Sequence, residues 1–103
     1  MVKVFNLNGI KIKEINNSNE DTYFIDTYYD NKLSKIFIIV CCRNYSKSYD
    51  YSNNKLYQKY SNKLDFSERP CYIIIKTIDK IVKLFESNFD GNIRIWNFIL
   101  LNY

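Results

Sequence analysis

The chain contains no histidine. That absence removes the commonest general base and a usual nitrogen ligand of zinc, and it excludes Ser-His-Asp and Cys-His catalysis within this sequence. Glycine and proline are almost as scarce, at two and one residues in 103. Turns must therefore be made mainly by Asn, Asp and Ser, whose side chains bond to nearby backbone. Gly9 and Gly91 are isolated, so no glycine-rich loop can cradle a phosphate. No apolar run approaches the ~18 residues of a transmembrane helix, and no leader pattern opens the chain. The cysteines are Cys41, Cys42 and Cys71. The first two are adjacent in the apolar run "KIFIIVCCR", so in a strand they point to opposite faces and cannot converge on one metal ion. Their odd number fits reduced, buried thiols, and the expected location is the cytoplasm or nucleus.

What the chain has is hydrophobic and aromatic material, at 47% and 17% of its residues. That is enough for the core of one small domain and too much for a disordered segment. The formal charge of +4 is mild, and its lysines are scattered. A solvated surface accounts for them more simply than a phosphate-tracking patch does. No cofactor site is expected.

Periodicity of two dominates. Runs rich in β-branched and aromatic residues lie at 2–7, 10–15, 22–29, 35–42, 46–51, 55–60, 71–77, 81–88 and 92–98, separated by short polar breaks. The window "IDKIVKLFESN" also shows helix-like spacing at Ile78, Ile81, Val82 and Phe85. It alternates too, and it ends in Asp90-Gly91, a strong hairpin signal. We read it as a strand at 81–88, a type I′ turn at 89–91 and a strand at 92–98. Short strands with turn-like breaks describe an all-β antiparallel meander.

The meander repeats. Val2-Lys3-Val4-Phe5-Asn6-Leu7 aligns with Ser46-Lys47-Ser48-Tyr49-Asp50-Tyr51 and with Ile93-Arg94-Ile95-Trp96-Asn97-Phe98. Each copy reads small or branched, basic, small or branched, aromatic, Asn or Asp, apolar. The interval is about 45 residues with four strands per period, a signature of propeller blades or a related β array.

The segment "DGNIRIWNF" resembles the strand–turn–strand portion that closes a WD repeat, with Trp96-Asn97 in place of Trp-Asp. The resemblance implies four-stranded antiparallel blades of a β-propeller type: outer strands of one blade at 1–15, a blade at 22–60, and a blade at 71–103 whose last strand is cut short. The array would be incomplete and unclosed, a fragment prone to associate with itself or with missing blades. The family's hydrogen-bonded tetrad is only partly matched. Asp90 and Trp96 have the required spacing, but the histidine is missing and Glu86 holds the hydroxyl position, with Ser87 displaced by one. By this resemblance Asp90, Gly91 and Trp96 are structural: the aspartate satisfies turn amides and the indole fills the seam between blades.

Carboxylate pairs occur at Glu20-Asp21 and Asp26-Asp30, in or beside loops, where solvated surface is their simplest role. Glu86 is expected to be a blade-edge carboxylate in water; were its face buried, Lys83 or Arg94 would have to pair with it. Lys3, Lys47 and Arg94 recur at one repeat position, as basic residues ordinarily do in WD repeats. The resemblance implies a non-catalytic scaffold whose protein partners dock on the loops 16–21 and 61–70 and on the turns near Arg43-Asn44 and Phe89. The contact residues it nominates are Arg43, Glu68, Arg69 and Phe89. The Phe89 ring either projects as an anchor or folds back over its own hairpin. The alternatives are a small basic β-module that binds nucleic acid and a propeller fragment with no function of its own.

Overall fold

The computed structural model of the chain describes residues 1–16, 21–43, 45–61 and 70–98, apart from the side chain of Cys71. Among these residues there is no helix, and nine strands form three antiparallel sheets. The first sheet pairs β1 (Val2–Phe5) with β2 (Lys11–Ile15). The middle sheet runs in sequence order through β3 (Phe24–Asp30), β4 (Lys35–Cys41), β5 (Ser46–Asp50) and β6 (Lys55–Tyr60). The third contains β7 (Pro70–Ile78), β8 (Ile81–Asn88) and β9 (Ile93–Asn97). No sheet closes on itself.

The alternation in sequence sets the layers. In β8, Val82, Leu84, Glu86 and Asn88 are buried while the residues between them are not. A period of two thus wins over the helical spacing in the same window. Val82 and Leu84, with Ile73 of β7 and Phe98, pack on Phe37, Ile39, Cys41 and Tyr60 of the middle sheet. The opposite side of the middle sheet is covered over β4 and β5, where Ile38, Val40, Cys42 and Tyr49 meet Val2 and Ile15 of the first sheet, while Ile25, Tyr29, Ile36 and Leu56 stay exposed on that side. A strand buried on both faces needs a near-continuous apolar run, which is why β4 reads "KIFIIVC". The adjacent side chains of Cys41 and Cys42 are buried, and they enter different cores on opposite faces of their strand.

Local features recur with the repeat. The register slips by one between Val4 and Phe5 in β1, and again between Ser48 and Tyr49 in β5. The bulge falls at the same repeat position each time, just before the aromatic residue. The following residue then caps the turn. Asn6 Oδ1 accepts the amides of Asn8 and Ile10 at 2.9 and 3.0 Å, and Asp50 Oδ1 accepts the Ser52 amide at 2.9 Å. These are Asx turns, in which the side chain imitates the missing backbone bond.

The Asp90-Gly91 hairpin forms, but its turn is not type I′. Only Gly91 takes positive φ, at 85°, and the loop closes through Asn88 N to Asn92 O and Gly91 N to Asn88 O, each 3.0 Å. This is a three-residue loop with glycine at its left-handed position. The turn with two positive φ values lies one hairpin earlier, at Asp79 and Lys80 (51° and 67°). There the strands pair right up to Ile78 and Ile81 and leave two residues to reverse the chain.

Candidate functional site

The connections β4–β5 and β8–β9 lie at one end of the stack. Ser46, which starts β5, donates its hydroxyl to Glu86 Oε2 near the end of β8 at 2.6 Å, and this bond ties the two hairpin ends together. Arg43 is exposed in the first connection. Phe89 sits in the second and is 65% exposed, so its ring projects and does not fold back over the hairpin. The backbone beneath Phe89 is held by the Asn88, Gly91 and Asn92 bonds, which fix the direction in which the ring is offered. Two further aromatics join this rim that the sequence reading had not nominated. Tyr23 precedes β3, its amide bonded to Cys41 O at 2.8 Å, and Tyr72 pairs across from Ser87; both are exposed. Each lies at the start of a strand that follows a polar spacer, and that position was the available signal. Glu68, Arg69 and Asn44, with most of the loops 16–21 and 61–70, lie outside the described residues.

Glu86 is a correction. It is fully buried and not a carboxylate in water. The alternation that buries Leu84 carries position 86 to the same side, and Lys83 to the other, where it pairs opposite Lys76. Arg94 is the cross-strand neighbour of Glu86, with Nη1 4.0 Å from Oε1. The long Arg94 ion pair and the Ser46 hydrogen bond together set Glu86 at the seam between the middle and third sheets. The seam holds more polar groups: Ser48 Oγ lies 3.3 Å from the hydroxyl of Tyr60, which donates to Gln58 Oε1 at 3.3 Å. Burial pushes the Tyr60 phenol well above its ordinary value, so it stays a neutral donor. At the opposite rim, burial raises the Asp50 carboxyl, but hydrogen bonds from Ser52 and Lys35 outweigh it and hold the group below its ordinary value.

Gly91 supplies the positive φ its turn requires. Asp90 is exposed, and the turn amides bond to backbone carbonyls instead of its carboxylate. Trp96 is half-buried against Tyr60, ring centroids 6.0 Å apart, and its indole N–H has no hydrogen-bond partner among the described residues. The tetrad of the resembled repeats is therefore not assembled here. Lys3, Lys47 and Arg94 form no ring: Lys3 is exposed on the first sheet, Lys47 lies beside the Tyr45 ring at 5.0 Å, and Arg94 faces Glu86. Lys13 and Lys59 also lie over tyrosines, Tyr51 at 3.8 Å and Tyr45 at 4.1 Å, so these cations and rings engage each other. Asp26 accepts the Thr27 amide and Asp30 the Leu33 amide, both at 2.7 Å, which gives each carboxylate a local backbone role. Among the described residues no group of three or more His, Cys, Asp or Glu could hold a metal ion, and no helix is long and apolar enough to cross a membrane.

No protein-family model, no curated protein and no solved structure matches the chain.

Proposed function

We propose that the chain is a non-catalytic scaffold of WD-repeat-like blades that offers its β4–β5 and β8–β9 turns to protein partners. The blade reading is supported by the repeat of the bulge at Val4/Phe5 and Ser48/Tyr49, and by sheets stacked in sequence order. The observation that carries the function is Phe89, a large apolar ring held outward on a turn pinned by backbone bonds. An aromatic anchor on a rigid turn costs little ordering entropy when it docks, and such residues dominate interface energetics. Arg43, Tyr23 and Tyr72 surround it with the residue types that interfaces favour. The mechanism is presentation of shape, with no bond made or broken. The odd number of cysteines, two of them buried, suits a reducing compartment, which keeps cytoplasm or nucleus as the proposed location.

A photo-crosslinking side chain placed at position 89, in extract of cells that express the chain, tests this. Defined proteins should be captured there, and Phe89→Ala should lower their binding by about tenfold or more. Leu7→Ala is the control. Leu7 is fully exposed on a turn of the same hydrogen-bonding pattern in a different connection, so its loss should change nothing. Equal loss from both substitutions, or no capture at 89, would remove the rim from the account.

A further inference from the structure

The side of the third sheet turned away from the middle sheet is apolar and open. The cross-strand pairs Ile74–Phe85, Phe85–Ile95 and Ser87–Ile93 line it, and Ile93 and Ile95 are 69% and 57% exposed. A groove of about 330 Å³ runs between Tyr72, Ile74, Lys76, Phe85, Ser87 and Ile93. With Ile78 and Ile81 also exposed, the open apolar area is on the order of 500 Å², as large as the largest patch on most monomers. It is more than half of the ~800 Å² each partner gives to a specific interface.

The repeat indicates what belongs there. Ile93 and Ile95 correspond to Val2 and Val4 in the first sheet and to Ser46 and Ser48 in the middle sheet. In each earlier sheet that position is covered by the sheet that follows: Val2 by the middle sheet, Ser46 by the third. The opposite repeat position is covered by the sheet that precedes it, Tyr49 by the first sheet and Trp96 by the middle one. Its counterpart in the first sheet is Phe5, which is 55% exposed. The chain thus leaves uncovered the outward side of the third sheet and the outward side of the first.

We propose that the open side of the third sheet docks on the open side of the first sheet of a second copy, head to tail, continuing the stacking order within the chain. The stacking order selects this arrangement, and charge disfavours the two-fold alternative. Lys76 and Lys83 lie directly opposite one another between the Ile74–Phe85 and Ile78–Ile81 pairs. A two-fold contact centred on this patch would bring two such lysine pairs together in a desolvated seam, which is strongly disfavoured. The head-to-tail contact instead meets a side on which Glu14 is ion-paired with Lys11 and lies opposite Lys3, so it does not double the lysine pair. Because the contact is heterologous, copies extend the stack until it closes or continues as a filament. This surface meets the Phe89 rim at Tyr72, but the residues that carry the two readings, Phe89 there and Ile95 and Phe5 here, are different.

Sedimentation velocity of the whole chain over a concentration series tests the proposal, with Ile95→Lys on the third sheet and Phe5→Lys on the first. The wild type should associate beyond the dimer. Each variant alone should associate at least about tenfold more weakly. Their equimolar mixture should recover association but stop at a dimer, since each variant keeps one intact side. Circular dichroism checks that both fold, with Ile93→Lys and Ile12→Lys as replacements if either does not. Three results would overturn the proposal: a wild-type monomer at every concentration, meaning that another partner or other sequence covers the face; self-association of Phe5→Lys as strong as wild type, meaning a two-fold contact; or a mixture that fails to recover.

Discussion

Glu86 shows what a single position can and cannot reveal in sequence. Its place in the alternation with Val82 and Leu84 is visible, and that alternation alone aims it inward. Its partner Ser46, 40 residues away, is not visible, because the pair exists only once two sheets dock. A buried carboxylate that keeps its hydroxyl donor but loses its cation is costly, since desolvation is no longer offset. Arg94→Met should therefore lower stability by about 3 kcal/mol in urea denaturation. A loss under about 1 kcal/mol would mean that water reaches the carboxylate and the seam is open. Phe89 shows the complementary case. Sequence placed it on a turn and left two orientations, and the backbone bonds of that turn decide between them.

Among the elements, strands were more legible than the turns that join them. All nine described strands fall on runs of alternating or continuous β-formers, and their grouping follows the polar spacers. The bulges were not legible, because an extra residue in a ladder leaves no mark in composition. Nor was the tight turn at Asp79-Lys80, which lacks the usual Asn-Gly signal and is imposed by pairing of the flanking strands up to Ile78 and Ile81. Two non-glycine residues at positive φ carry strain of roughly 1 kcal/mol each. Lys80→Gly should relieve one of them and gain about 0.5 kcal/mol after the added unfolded-state entropy. Gly91→Ala should lose about 1 kcal/mol, all of it backbone strain, because nothing lies within 4 Å of the new Cβ. Denaturation midpoints measure both, and a change of the same sign in the two variants would contradict the turn assignments.

At the scale of the molecule, the sheets form a stack in which β4 and β5 are covered on both faces and the outer sheets on one. The repeat in sequence carried the order of the sheets. It did not carry which sides are left open, since that depends on what each face meets in three dimensions. The stack makes Phe5 and Ile95 opposite ends of one arrangement and places the rim of Arg43 and Phe89 across two of its layers. Amide hydrogen exchange at low protein concentration reads this layering most directly, since protection follows burial and local stability. The stack predicts slowest exchange in β4 and β5, which are themselves covered on both sides, and faster exchange in β1, β2 and β9. Equal protection across the three sheets, or β9 exchanging more slowly than β4, would contradict it.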